Sequence, residues 1–297
     1  MKTSSLVFLA ITLNSCGDIL SGITAQESET AYIQSAMALF TQGLNVIENV
    51  EPFALRNLRT QEDYIPNENI ACTTTASGIS ASSCSASGVQ SFTYNDCQGQ
   101  FTQATYSGIL NLDFSGSTCT FSGLSTDGQV VISSATHQTT GSDGTIVKWS
   151  TASHQNFLGS TLSGGYTLTK ENSSTYYLAP TGIQRTKTTA ASDVIFNHTL
   201  RANNDSSLTL GTGFTSANRS ITGSIAVDSN TKEFTATLNF IGVEYDDPTC
   251  AYPTVGTIDV TFGGSKSGTQ SFGFESGSCG TVKDTLTNTV YTLDAAF

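Results

Sequence analysis

The sequence predicts a mainly β protein, built as a large antiparallel sandwich or a strongly curved sheet of about 12 to 15 strands with one N-terminal helix. Three observations lead to this fold class. Apolar and polar residues alternate with a period of two over most of the chain after Ser87. Polar or glycine-led segments separate the alternating runs. One earlier segment, residues 30–51, has the apolar spacing of a helix instead.

The N-terminal segment is a short apolar run that leads to a cysteine. Residues 6–13 are apolar except Thr12, they follow Lys2, and the segment closes with Leu13-Asn14-Ser15-Cys16. The run is shorter than the roughly 20 residues that a spanning helix needs, and it fits the apolar region of a secretory signal peptide.

Leu13-Asn14-Ser15-Cys16 resembles the lipobox of bacterial lipoproteins, with Asn14 in place of the usual small residue. The resemblance implies that residues 1–15 are a signal peptide, that Cys16 is lipidated, and that residues 16–29 form a tether. It also implies a lipid-anchored protein of the cell envelope, periplasmic or surface-facing. Gly17 rather than Asp follows the cysteine, which by the same resemblance favours delivery to the outer membrane.

Six cysteines remain once Cys16 is set aside, and an even number in an exported chain predicts disulfides. They are Cys72, Cys84, Cys97, Cys119, Cys250 and Cys279. A strand of ten residues is about 33 Å long, so cysteines that flank one strand are too far apart to pair. Two antiparallel strands return the chain to the same sheet edge. An even number of strands between two cysteines therefore allows them to pair. This rule predicts Cys84–Cys119 and Cys250–Cys279, which leaves Cys72–Cys97.

The segment from Cys84 to Cys97 has the pattern Cys-x3-Gly followed by Tyr-x-Asp-Cys. It resembles β-rich bacterial lipoproteins of the cell envelope, a resemblance that covers about 40 residues and implies no activity.

The composition indicates an acidic extracellular β protein. The formal net charge is -12, from 12 basic and 24 acidic residues. Such a surface repels nucleic acid and anionic headgroups, so neither is an expected partner. Residues 30–297 are enough to bury a large core as one domain, with a possible subdivision near residues 200–220.

Residues 30–51 carry an apolar stripe at spacings of four, three, four and three, formed by Ile33, Met37, Phe40, Leu44 and Ile47. The sequence leaves two interpretations open. The helix packs on one face of the sheet, or it forms a plug or lid inside a curved sheet. Residues 52–83 have few apolar side chains and are predicted to be mostly loop.

A degenerate repeat, glycine followed by alternating aliphatic residues, predicts strands that each open on a glycine at a turn or bulge. It begins at Gly108, Gly128, Gly223 and Gly256. Polar clusters such as Ser142-Asp143-Gly144 predict the hairpin turns between strands.

No catalytic or metal-binding motif is evident. His137, His154 and His198 lack the spacing of a metal site, and there is no Gly-x-Ser-x-Gly motif. A Ser-His-Asp triad could still assemble in three dimensions. Trp149 is predicted to be a core or sheet residue, and Arg185 and Lys187 a solvated strand face. We therefore expect no metal, no cofactor and no enzymatic activity.

The sequence is most consistent with a lipid-anchored envelope protein that has a binding or structural role. Its expected partner is the membrane, through the N-terminal lipid, with an envelope protein, a glycan or an apolar ligand as further possibilities. Three alternatives stay open: a carrier of an apolar ligand in a curved sheet, an outer-membrane β-barrel, and a hydrolase with an unrecognised site. The terminal alternation of Tyr291, Leu293, Ala295 and Phe297 is the reason to keep the barrel.

Overall fold

A computed structural model describes most of the chain: residues 27–47, 78–98, 105–116, 119–120, 123–141, 143–204, 206–211, 219–245, 252–275 and 278–293. This part contains one helix, α1 (Ala31–Ile47), and seventeen strands. In chain order the strands are β1 (Gly78–Ala81), β2 (Val89–Gln98), β3 (Thr105–Phe114), β4 (Gln129–Thr140), β5 (Ile146–Ser150), β6 (His154–Gln155), β7 (Thr161–Leu162), β8 (Gly165–Lys170), β9 (Thr175–Thr188), β10 (Val194–Ala202), β11 (Leu208–Gly211), β12 (Arg219–Ser229), β13 (Phe234–Tyr245), β14 (Val255–Gly264), β15 (Gly268–Gly273), β16 (Thr281–Asp284) and β17 (Val290–Thr292).

The predicted mainly β class is confirmed, and one antiparallel sheet dominates it. Fifteen strands form this sheet in the order β1-β2-β3-β4-β5-β9-β10-β12-β13-β14-β15-β16-β17, with β8 and β11 placed beside this path. Nearly all neighbours are also consecutive in the chain, which is the pattern of a β-meander. Strands on both sides of residues 200–220 therefore belong to one sheet.

Three long strands each pair with two shorter strands along one edge. β4 and β9 pair with β8 over one half of their length and with β5 over the other. β9 and β12 pair in the same way with β11 and β10. The long strands thus continue the pairing past the ends of the shorter strands. The small β6–β7 hairpin lies between β5 and β8 in the chain and forms a separate sheet.

The helix is enclosed rather than laid on a surface. All residues from Ala31 to Phe40 are buried, not only the predicted stripe. Tyr32 makes edge-to-face contacts with Phe234 of β13 and Phe262 of β14. A helix against one flat face would leave its far side exposed, so residues 31–40 are covered on every side. The structure therefore supports the plug interpretation, although the side chains of Leu44 and Ile47 lie outside the description.

Two repeat glycines mark bulges, as the sequence predicts: Gly256 lies at the opening of β14, whereas Gly223 lies inside β12. The β12–β13 register shifts between Ile221 and Gly223, and the β13–β14 register shifts opposite Gly256. Gly256 has φ +99°, and a Cβ there would lie 2.2 Å from the carbonyl oxygen of Gly242. A bulge increases local twist and bends the strand, so these glycines help the sheet to curve.

The turn and loop predictions have mixed outcomes. Asp143 and Gly144 form the predicted β4–β5 turn, where the Thr145 amide donates to the Asp143 carboxylate at 2.9 Å. Most of residues 52–83, predicted to be mostly loop, lies outside the described residues, and at the described end β1 pairs with β2. β1 has only four residues, Gly-Ile-Ser-Ala, which is too short for alternation to distinguish it from loop, so the sequence does not predict it as a strand.

Phe40→Ala should lower the free energy of unfolding by about 3 kcal/mol or more, because it leaves a cavity in a closed interior. Phe40 is fully buried and contacts Phe240 edge-to-face, with ring centroids 4.8 Å apart. Denaturant unfolding followed by circular dichroism measures the change. Leu286→Ala is the control, because Leu286 is 75% exposed and should cost little. Equal midpoints for the two variants would contradict the enclosed helix.

Candidate functional site

A row of directly paired residues crosses eight strands on the face that looks towards α1. Each member is the register partner of the next, in the order Tyr94, Gly108, His137, Trp149, Arg185, His198, Ser229 and Phe234. Three of them, His137, Arg185 and His198, are side chains with ionisable nitrogen groups, and all three are nearly or fully buried. Buried ionisable groups need partners, and the partners of the last two come from the N-terminal segment.

Glu27, Ser35, Arg185 and His198 form one hydrogen-bonded group, which we call the clamp network. His198 Nε2 lies 2.8 Å from Glu27 Oε1, and His198 Nδ1 lies 2.7 Å from Ser35 Oγ. Arg185 Nη1 donates to the same Ser35 oxygen at 3.0 Å. The network therefore joins the residues just before and within α1 to the adjacent strands β9 and β10.

The hydrogen bonds of the clamp network run in one direction. Burial lowers the pKa of His198 more than Glu27 raises it, so the imidazole is neutral at neutral pH. Arg185 then donates to Ser35, Ser35 donates to His198 Nδ1, and His198 Nε2–H donates to Glu27. Each of these three bonds joins a donor to an acceptor, and a buried cation and a buried anion stand at the two ends of the series.

The other contacts of Glu27 keep it ionised. Its second carboxylate oxygen accepts bonds from Ser229 and Thr231, each at 3.1 Å. Burial alone would raise the pKa of Glu27, but the hydrogen bond from His198 and the charge of Lys232 outweigh it and hold the pKa below its usual value. Lys232 Nζ also donates to the Glu27 backbone carbonyl at 3.1 Å, so both backbone and side chain of Glu27 are fixed to the sheet.

Arg185 is a core residue, and the predicted solvated face is wrong for it. Its side chain is 3% exposed, and the guanidinium carbon lies 5.3 Å from the Trp149 ring centroid and 5.2 Å from that of Phe196. Burial lowers its pKa to about 10, which still leaves a cation at neutral pH. Trp149 is buried as predicted, and its role is to stack on this cation.

Ser35, His198 and Glu27 have the residue types of a hydrolytic triad, but their surroundings differ from those of a nucleophile. Ser35 and His198 are fully buried, and Glu27 is 5% exposed. A nucleophile needs room for a substrate carbonyl beside it. Here the Arg185 guanidinium occupies the side of Ser35 Oγ that is not turned to His198. We therefore interpret the group as a structural clamp for α1.

An open pocket of about 350 Å³ lies where the clamp network meets the surface. We call it the N-terminal pocket. The N-terminal segment contributes Glu27, Ser28, Glu29 and Tyr32 to its lining. The sheet contributes Lys232 and Phe234 from the β12–β13 turn region, and Ser265 and Lys266 from the β14–β15 turn. Half of the wall is thus the segment that the clamp holds in place.

Lys266 is held against three aromatic rings at this pocket. Its ammonium nitrogen lies 3.9 Å from the Phe262 ring centroid and 5.9 Å from those of Tyr32 and Phe234. The nearest carboxylate oxygen, on Glu29, is 3.6 Å away. That distance exceeds the roughly 2.7–2.9 Å of a charge-assisted hydrogen bond, so the rings rather than Glu29 position the ammonium group.

The two other histidines are separate from the clamp network. His137 is buried against Tyr94, and burial lowers its pKa to about 3, so it is neutral. His154 belongs to the β6–β7 hairpin and contacts Thr199 Oγ1 at 3.1 Å. Among the residues that the structure describes, no group of three or more His, Cys, Asp or Glu side chains could hold a metal ion.

One predicted disulfide is confirmed and the others stay predictions. Cys84 and Cys119 are bonded, with their Cα atoms 5.6 Å apart. Cys279 is also disulfide-bonded, and its partner is neither of these two. Cys97 lies in β2. Cys16, Cys72 and Cys250 lie outside the described residues.

Sequence reasoning missed Glu27 because it stands in a segment without periodicity. The predicted tether, residues 16–29, includes it, and a lone acidic residue in such a segment normally faces solvent. Its partners Arg185 and His198 lie on predicted strands. They are far from the N-terminal segment in sequence, so no local pattern predicts that they contact it. An acid shortly before a helix, together with basic residues on apolar strand faces, is the only signal that points to it.

Comparisons of the chain with protein-family models, with curated proteins and with solved structures find no match. Within the described residues, no helix has both the length and the apolar character needed to cross a membrane.

Ser35→Ala should lower the free energy of unfolding by about 2 to 3 kcal/mol, because it removes the oxygen that links a buried cation to His198. Ser134→Ala is the matched control. Ser134 is also buried, but it donates to the neutral carbonyl of Ile109, so about 1 kcal/mol is expected. Denaturant titrations give both values. A loss at Ser35 no larger than that at Ser134 would contradict the charged network.

Peptide mapping without reduction should find Cys279 joined to Cys250. Two strands, β14 and β15, lie between these cysteines in the chain and pair as antiparallel neighbours, so the chain returns to the same end of the sheet. The closed loop of about 30 residues should contribute about 3 to 4 kcal/mol in the chain-entropy model. A peptide that joins Cys279 to Cys72 or Cys97 would show that strand parity does not govern this pairing.

Proposed function

We propose that the protein is a lipid-anchored component of the cell envelope, held in the outer membrane through Cys16, with a binding role at its N-terminal pocket. The binding or structural role is the first of the functions that the sequence favours. The contacts of Glu27 support a site at the junction between the predicted tether and the folded domain.

The disulfides support export. Cys84 and Cys119 are bonded and Cys279 is also in a disulfide. Such bonds persist in oxidising compartments and are rare where thiols are kept reduced. An envelope location therefore agrees with both the cysteine chemistry and the lipobox resemblance.

The clamp network is the observation that carries the proposal. Glu27 follows Cys16 by eleven positions, and an extended chain of that length reaches about 40 Å at most. Because Glu27 is fixed to β10, β12 and the β12–β13 turn, a lipid on Cys16 would keep that end of the domain near the membrane. The N-terminal pocket lies at the same end.

Neither a carrier nor a hydrolase gains similar support. A carrier in a curved sheet needs an empty concave side, and here α1 and its buried neighbours fill that side over residues 31–40. The serine of the triad-like group, Ser35, is fully buried and bonded to Arg185. The N-terminal pocket is the open, polar and aromatic cavity that a binding protein requires.

Expression in a bacterial host should give a mature protein whose N-terminal residue is a diacylated or triacylated Cys16, identified by mass spectrometry. Cys16→Ser should move the protein from the membrane fraction to the soluble fraction, because it removes the only thioether site for the lipid. A control with Cys84→Ser and Cys119→Ser together should keep membrane attachment. A mature N-terminus downstream of Cys16 would overturn the anchor.

A further inference from the structure

We propose that the N-terminal pocket binds a phosphate group between the ammonium groups of Lys232 and Lys266. The first reason is the placement of charge. The chain has 12 basic residues against 24 acidic ones, yet two of the basic residues line this one cavity. Glu27 and Glu29 also line the pocket, but both carboxylate oxygens of Glu27 already accept bonds, from His198 and from two hydroxyl groups. Glu29 is therefore the acid that competes with an anion for the two ammonium groups.

Both ammonium groups have donors to offer. An ammonium group has three N–H donors. Lys232 donates to the Glu27 carbonyl at 3.1 Å, and that bond uses one of them. With the polar groups of the described residues, Lys266 makes only long contacts, at 3.5 Å to Gln270 Oε1 and 3.6 Å to Glu29 Oε2. A phosphate, which presents several oxygens, would satisfy donors on both lysines at once.

The aromatic rings prepare the site for its ligand. Phe262, Tyr32 and Phe234 hold the Lys266 ammonium within 3.9 to 5.9 Å of their centroids. An ammonium group that is already positioned loses less side-chain entropy when an anion binds. Glu29 is the competitor, since its side chain is 65% exposed and can swing away from Lys266 into solvent.

The bound phosphate would join the two halves of the pocket. Lys232 and Lys266 belong to turns of the sheet, while Glu27, Ser28, Glu29 and Tyr32 belong to the N-terminal segment. A ligand that needs both halves stabilises their docked arrangement by mass action. The phosphate can come from a lipid headgroup or from a free phosphate compound. The lipid source rests on the proposed membrane anchor, whereas phosphate binding itself does not.

Isothermal titration of the purified Cys16→Ser protein with inorganic phosphate tests the site, with sodium chloride at equal ionic strength as the reference. Lys232→Met and Lys266→Met should each weaken binding about tenfold or more, since each removes a charged hydrogen-bond partner. Glu29→Gln should tighten binding, because it removes the competing carboxylate. Circular dichroism confirms that each variant is folded.

Lys283→Met is the matched control. Lys283 is 32% exposed, as is Lys266, and it also pairs with one glutamate, at 3.2 Å from Glu275. Its substitution should leave phosphate binding unchanged. The site is overturned if wild type fails to bind, if either pocket variant binds like wild type, or if Lys283→Met weakens binding as much as they do.

Flotation of the same proteins with phosphatidylethanolamine vesicles identifies the source. Vesicle binding that requires both pocket lysines, with glycerophosphoethanolamine as a soluble competitor, supports a lipid headgroup. Phosphate binding without vesicle binding supports a free phosphate compound. A protein that binds phosphate but carries no lipid on Cys16 in cells would refute the anchor and leave the site intact, so the two failures are distinguishable.

Discussion

The contact between Glu27 and His198 is the interaction on which the position of α1 depends. Two fully or nearly fully buried ionisable groups meet at 2.8 Å, and Ser35 and Arg185 extend the contact to β9. Such a network contributes little net stability when complete, because desolvation offsets the attraction. Breaking it leaves a buried charge without a partner and is costly. The network therefore adds little to the overall stability, but it makes misaligned positions of the helix less stable than the docked one.

The opposite face of the same strands carries a second buried charge, and another segment covers it. Asp228 on β12 is fully buried and accepts two bonds from Arg201, at 2.8 and 3.0 Å. Asn156 from the β6–β7 hairpin also donates to Asp228, at 2.8 Å. Neighbouring residues of a strand point to opposite faces, so Asp228 and Ser229 bind the hairpin and the N-terminal segment respectively. Each covering segment is thus fixed by directional polar contacts rather than by apolar packing alone.

The sheet could be predicted from the sequence because its signal is local. Alternation gives the buried face of each strand, and two strands between Cys84 and Cys119 suffice to predict their bond. Which segment covers that buried face depends instead on contacts between residues far apart in the sequence. His198 and Glu27 are 171 positions apart, and Arg185 and Ser35 are 150 apart. Arg185 therefore looks like a solvated strand residue, and the apolar stripe of α1 does not disclose that its other side is also enclosed.

The clamp network is buried and the N-terminal pocket is open, and this difference decides which of the two can bind a ligand. In the clamp network the donors and acceptors satisfy one another in series, so a ligand would have to break an existing bond to enter. At the N-terminal pocket, the contacts of the two ammonium groups with described residues are one bond of 3.1 Å from Lys232 and two contacts of 3.5 and 3.6 Å from Lys266, so further donors remain for a ligand. Because Glu27 belongs to both, the internal clamp sets the shape of the external pocket. A change in the docking of α1 would therefore alter ligand binding without any change in the lysines themselves.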